Sequence, residues 1–196
     1  MNRYVTTVSP AALVLCVAFA GAAATPAAAA DSYQVDPIHS VIIFRIKHMD
    51  VGMFYGRFNG PQGSFKFDEQ DPTKSSFQVS VKAQDFDSGN AKRDQHVRGP
   101  DFLNAKEFAN ITFKSKSVKP AAGGDNKFEV SGDLTMHGQT KPITAVLERI
   151  GAAGNRMGFE GVFEVKRSDF GIKGVAGVGE EVRLIIAFEG VKKNAE

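Results

Sequence analysis

Residues 40–48 read Ser40-Val41-Ile42-Ile43-Phe44-Arg45-Ile46-Lys47-His48, and taking every second residue sorts them into two sets. Ile42, Phe44, Ile46 and His48 form one set; Val41, Ile43, Arg45 and Lys47 form the other. A β-strand sends alternate side chains to opposite faces, so the first set faces an apolar interior. The same alternation recurs down the chain. Phe65 and Phe67 alternate with Ser64 and Lys66, then Phe77, Val79 and Val81 with Gln78, Ser80 and Lys82, then Ile111 and Phe113 with Thr112 and Lys114. Further on, Phe128, Val130 and Leu134 alternate with Glu129, Ser131 and Asp133, and Ile143, Ala145 and Leu147 share a face. Phe159, Phe163 and Val165 oppose Glu160, Glu164 and Lys166, and Val182, Leu184, Ile186 and Phe188 oppose Arg183 and Glu189. Turn clusters such as Asn59-Gly60-Pro61 and Gly123-Gly124-Asp125-Asn126 separate the runs. Eight strands with short polar connections predict an all-β fold, an eight-stranded antiparallel β-barrel that removes its sheet edges by closing on itself. A barrel of that size holds one small ligand.

Residues 88–108 break the period-two pattern. Ala91 to Arg98 read as a short helix, with Asn90 as its cap and Gly99-Pro100 as its stop, so this stretch is expected to carry one or two short helices. A long connection of this kind is where a barrel receives a lid or a functional loop.

The first 30 residues read differently again. Arg3, an apolar run from Ala11 to Ala20, and the small residues Ala28 and Ala30 just before Asp31 have the form of a cleaved secretory signal peptide. The run is too short for a stable membrane span. Export would leave residues 31–196 as one barrel domain, periplasmic or released. Cys16 is the only cysteine and lies inside the leader, so disulfides, thiolate catalysis and cysteine-bound metal are excluded from the remainder.

The chain has 24 Lys and Arg against 22 Asp and Glu, a net charge of +2 that falls to +1 without Arg3. Neither that balance nor any block of like charge suggests nucleic acid as a partner. A homodimer stays open. His39, His48, His96 and His137 lack the short spacings that put two ligands on one face, so no metal is expected. His39 reads as a turn or barrel-base residue, and His137 as an exposed residue of the turn Met136-His137-Gly138-Gln139. No Gly-x-Ser-x-Gly elbow occurs, and Gly171, Gly174, Gly177 and Gly179 lack the Lys-Ser/Thr of a phosphate loop. Sixteen phenylalanines, 15 of them after the leader, and no tryptophan fill the inward positions. With Gly132 and Gly161 also facing inward, they are either simple core or the lining of a narrow apolar tunnel. Arg93, Asp94, His96 and Arg98 crowd the helical loop, either as a solvated face with an Asp94–Arg98 pair or as a polar rim over the barrel mouth.

Tyr33, Asp36-Pro37, His39-Ser40, Phe44 to His48 and Gly56-Arg57-Phe58 resemble the YceI family of polyisoprenoid-binding periplasmic proteins. So do Arg93-Asp94-Gln95-His96-Val97-Arg98 with Asp101-Phe102-Leu103-Asn104, Gly132 to Thr135 with Gly138 and Thr140 to Thr144, Arg167 to Ile172, and Glu181-Val182. The motifs run in order across residues 31–196. The resemblance implies a lipocalin-like barrel, open at one end, that binds and carries or sequesters an isoprenoid quinone, a polyprenyl chain or a related amphiphilic lipid, with no cofactor. Carried over to inward positions, the wall would be Ile42, Phe44, Phe58, Phe65, Phe113, Leu134, Phe159, Phe163, Leu184 and Ile186. The polar end would be His48, Arg93 and His96. Two alternatives stand beside carriage: an enzyme acting on such a lipid, with His48 or His96 beside Asp94, and an interaction protein whose barrel is filled by its own phenylalanines.

Overall fold

A computed structural model describes Met1 and residues 30–193; the expected signal peptide therefore falls almost wholly outside the described residues. Eleven strands follow in chain order: β1 (Asp31–Val35), β2 (Val41–His48), β3 (Gly52–Phe58), β4 (Gln62–Phe67), β5 (Ser76–Lys82), β6 (Phe86–Asp87), β7 (Asn110–Pro120), β8 (Lys127–Met136), β9 (Gln139–Ala153), β10 (Arg156–Lys166) and β11 (Val178–Lys192). One helix, α1 (Ala91–Val97), lies between β6 and β7.

The strands form a closed barrel of eight staves. β11 pairs with β2 through Val182–Ala187 and with β1 through Gly190–Lys192, so β1 and β2 make a single stave. The five residues between them bulge outward and are held at both ends by Glu189: Asp36 N–H donates to its carbonyl at 2.8 Å, and its own N–H donates to Ser40 Oγ at 3.1 Å. β3 and β4 likewise share a stave, pairing with β2 and β1 respectively, and β5 with β6 form the third. Each remaining stave pairs with its chain neighbours, and β1–β11 closes the ring.

Aromatic rings pack close to backbone where glycine leaves room. A Cβ on Gly56 would lie 2.5 Å from the Phe44 ring, and one on Gly190 would lie 2.3 Å from the Phe65 ring. Both glycines are required by these contacts rather than by turn geometry.

The interior has two packed layers. At one end Phe65, Phe67, Phe77, Phe128, Phe159 and Phe188 form a plug with Tyr33, Val118 and Val130. Phe65 stacks on Tyr33 with ring centres 4.8 Å apart and meets Phe159 edge-on at 5.5 Å, geometries that add to plain area burial. At the other end Phe44, Phe58, Phe86, Leu134 and Val165 pack beneath Leu103, Ala105, Phe170 and Ile172.

Those last four residues belong to connections, which reach in over this end of the barrel. α1 begins as the sequence predicts, with Asn90 Oδ1 accepting from Arg93 N–H at 3.1 Å. Beyond Val97 the chain doubles back: Leu103 N–H donates to Val97 O at 3.0 Å and Ala105 N–H to Arg98 O at 2.9 Å, which drives Leu103 and Ala105 into the barrel end. From the other side, the turn at Arg167–Phe170 presents Phe170 and Ile172, both buried. Residues 88–108 and 167–174 together form a lid.

Candidate ligand-binding site

Between the plug and the lid lies a cavity of about 100 Å³. Phe77, Leu147 and Phe188 of the plug form its floor, and Phe58, Val81 and Leu134 of the lid end form its roof. Around the waist run Ile42, Ile111, Phe113, Ile143, Phe163, Leu184 and Ile186. Among the described residues, Ser80 and Thr112 are the only polar ones in the lining. A space walled this way offers a water molecule almost no hydrogen-bond partners and stays dry. It takes apolar chain instead.

Seven of the ten expected wall residues line this cavity: Ile42, Phe58, Phe113, Leu134, Phe163, Leu184 and Ile186. Phe65 and Phe159 also point inward but sit in the plug, each only 2% exposed and packed on other rings. Phe44 points inward above the cavity, stacked on Phe86 with ring centres 5.2 Å apart. Alternation fixes which face a side chain takes, not its depth along the barrel axis. The sequence reading also missed Phe77, Val79, Val81, Ile111, Ile143 and Leu147 as lining, though their alternation is as clear.

The expected polar end is not assembled at the cavity. His48 ends β2 at an exposed hairpin. Arg93 lies outside, its guanidinium over the Phe54 ring at 4.3 Å, with Nε donating to Ser88 Oγ at 2.8 Å and Nη2 to Ser88 O at 2.9 Å. His96 is exposed, its Nε2 donating to the Asp101 carboxylate at 2.9 Å. Asp94 does not pair with Arg98. It is buried, its carboxylate accepting from the Ser88 N–H at 2.9 Å and from the Ser88 hydroxyl. The enzyme alternative asked for His48 or His96 beside Asp94, and these side chains have different partners outside the cavity. His137 is half-buried rather than exposed, donating from Nδ1 to Phe170 O at 3.1 Å and packing on Phe108, so it braces the lid. His39 fulfils its turn reading, donating from Nδ1 to the Asp36 carboxylate at 2.8 Å.

Arg98 is the residue the freed pairing exposes. Its Nη2 donates to Phe86 O, and no carboxylate lies within salt-bridge distance of it among the described residues. Its Nε is the one buried side-chain polar atom without a hydrogen-bond partner among the described residues. A guanidinium stays protonated, and a buried donor left unmade costs about 1–3 kcal/mol or more when charged. Phe86, which accepts from Arg98, packs edge-on against the cavity residue Phe58 with ring centres 5.6 Å apart. Arg98 is thus linked through Phe86 to the cavity roof.

A family model, the YceI-like domain, matches residues 33–190. The chain belongs to the YceI-like family. A UPF0312 protein of Pseudomonas aeruginosa is 40% identical over 174 residues, covering 85% of this chain and 90% of its own. Among solved structures, Burkholderia cenocepacia BcnA is similar with a TM-score of 0.72 at 28% identity, over 79% of this chain and 98% of its own. A polyisoprenoid-binding domain from Saccharophagus degradans, implicated in plant cell wall breakdown, shares the fold with a TM-score of 0.66 at 17% identity, over 82% of this chain and 98% of its own. The matched residues of this YceI-like chain take in the lid and the whole of β2 to β10, and all but the first two residues of β1 and the last two of β11.

Proposed function

We propose that the chain is a non-catalytic binder of an isoprenoid lipid, an isoprenoid quinone or a polyprenyl chain, which it carries or sequesters in the cell envelope after export through its leader. The observation that carries this reading is the cavity wall, apolar all round except at Ser80 and Thr112. The tail lies between plug and lid, and the polar head turns toward Arg98. A carbonyl, hydroxyl or phosphate oxygen there would accept from the unpartnered Nε. A barrel of the same fold is named a polyisoprenoid-binding domain, which supports the choice of ligand by likeness of fold.

Size sets a condition on this reading. An apolar cavity of about 150 Å³ accepts one benzene ring. The cavity of about 100 Å³ thus takes roughly one isoprene unit as it stands. A longer tail requires Leu103 and Phe170 to lift away from the barrel end. Titration of the delipidated protein with farnesol in a calorimeter tests the proposal: one site with a negative heat-capacity change is expected. No heat and no shift in melting temperature would overturn it.

The plug favours a second reading, a barrel filled by its own rings that serves only through its surface. The same titration separates the two.

A further inference from the structure

The lid end of the barrel also carries a cluster of exposed apolar side chains. Met49, Val51 and Met53 lie on and beside the turn between β2 and β3, and Val175 lies on the loop ahead of β11; Val51 is 90% exposed. These segments join the lid. Met49 N–H donates to Gly177 O at 2.6 Å, Gly174 N–H donates to Asp101 O at 3.0 Å, and Arg93 of α1 covers the Phe54 ring of β3. Met49 and Asp50 both adopt positive φ, 54° and 56°, a region that Asp tolerates but that disfavours Met, and that hairpin turns ordinarily fill with Asn-Gly, Asp-Gly or Gly-Gly. An unfavourable backbone and a set of exposed apolar side chains thus coincide at one projecting tip. Lys47, His48 and Lys173 surround it, all exposed. Lys47 pairs with Asp50 at 3.0 Å, whereas Lys173 has no carboxylate partner among the described residues.

We propose that this tip docks the barrel on an anionic lipid bilayer. Met49, Val51, Met53 and Val175 enter the boundary between headgroups and acyl chains, and Lys47, Lys173 and His48 lie at the level of the phosphates. Docking sets the lid against the membrane from which the cavity is loaded, so the inference rests on the lipid-binding reading above. A narrow turn carrying apolar side chains suits insertion between headgroups better than the flat, closely packed core of a protein interface. The competing occupant is a second copy of the chain on β3, whose residues Gly52 to Gly56 pair with β2 on one side and, among the described residues, have no strand on the other.

Co-sedimentation of the full chain with vesicles of phosphatidylglycerol and phosphatidylethanolamine tests the proposal. The comparison variants are a triple Met49→Ser, Val51→Ser, Met53→Ser protein, Lys173→Glu, and Ile150→Ser, which alters an exposed apolar residue toward the plug end. Wild type and Ile150→Ser should sediment alike, the triple variant at least about tenfold less because three apolar side chains no longer bury. Lys173→Glu should weaken binding to these vesicles, and phosphatidylcholine vesicles should bind wild type less. Wild-type protein that stays in solution, or a triple variant that sediments like wild type, overturns docking. Concentration-dependent self-association that the triple variant loses, without vesicle binding, also overturns it and assigns the tip to a second copy. Farnesol titration of the same variants in vesicle-free solution keeps the two readings apart. Unchanged farnesol affinity in the triple variant is expected; vesicle binding by a protein that takes no farnesol would sink the cavity reading and leave docking standing.

Discussion

Ala145→Leu fills the proposed site from its own wall. Ala145 is buried on β9 and lines the cavity. Leucine adds three carbons; on the scale of six benzene carbons in about 150 Å³, about 25 Å³ each, the addition consumes about 75 Å³. That is about three quarters of the cavity of about 100 Å³. The fold should tolerate the change, because the added carbons gain contacts in an existing void; imperfect fit would cost at most about 1–3 kcal/mol. The ligand should not tolerate it. Excluding one isoprene unit, five carbons at about 0.8 kcal/mol each, removes about 4 kcal/mol, roughly a thousandfold in affinity. Farnesol titration gives the affinity, and a urea melt of the same sample shows whether the barrel is intact. An affinity within a few-fold of wild type in a folded Ala145→Leu protein would refute the placement of the tail between plug and lid.

Other outcomes follow from the same structure. Arg98→Met should cut the preference for a polar-headed isoprenoid over a headless hydrocarbon of equal length by about tenfold or more, since it removes the unpartnered donor along with the charge; an unchanged ratio of dissociation constants would exclude Arg98 from the head site. Phe159→Ala should cost about 3–5 kcal/mol in urea denaturation, since the ring is buried among four other phenylalanines, and a loss below about 1 kcal/mol would contradict the plug's structural role. Asp36 accepts from His39, Arg156 and the Ile38 N–H, in that order of effect, which holds its carboxyl well below the usual range. Because the folded-state value is depressed, its contribution is complete above about pH 4, near the unfolded carboxylate value, and is lost as pH falls toward the folded one. Asp36→Asn should therefore lower the melting temperature at neutral pH and flatten its acid dependence below that point; an unaltered acid limb would contradict it. Leu103→Ser should speed release of bound farnesol in stopped-flow exchange, and a release rate equal to wild type would show that the lid does not gate the cavity.

The sequence carried the barrel because its inward and outward sets differ so sharply, as in Phe77-Gln78-Val79-Ser80-Val81. Where that contrast fails, the reading fails with it. β3 went unread because its outward residues Met53 and Tyr55 are apolar and exposed, so alternation with Phe54 leaves no contrast. β1 offers only Tyr33 and Val35 before Asp36-Pro37 breaks the run. The count of eight survived both omissions because β1 extends β2 and β3 shares a stave with β4. The site was legible on its apolar side for the same reason. Its polar side was not, because a charged cluster such as Arg93-Asp94-Gln95-His96-Val97-Arg98 has many local pairings of similar energy. Helical spacing pairs Asp94 with Arg98; in the folded loop Ser88 takes Asp94 instead and leaves Arg98 without a carboxylate.

Native mass spectrometry of the chain purified gently from the envelope of a quinone-producing bacterium, with organic extraction of the same sample, addresses the central claim most directly. One isoprenoid lipid per chain in wild type, absent from Ala145→Leu, is the expected result. A wild-type barrel that arrives empty, or a lipid retained equally by Ala145→Leu, would contradict carriage in this cavity.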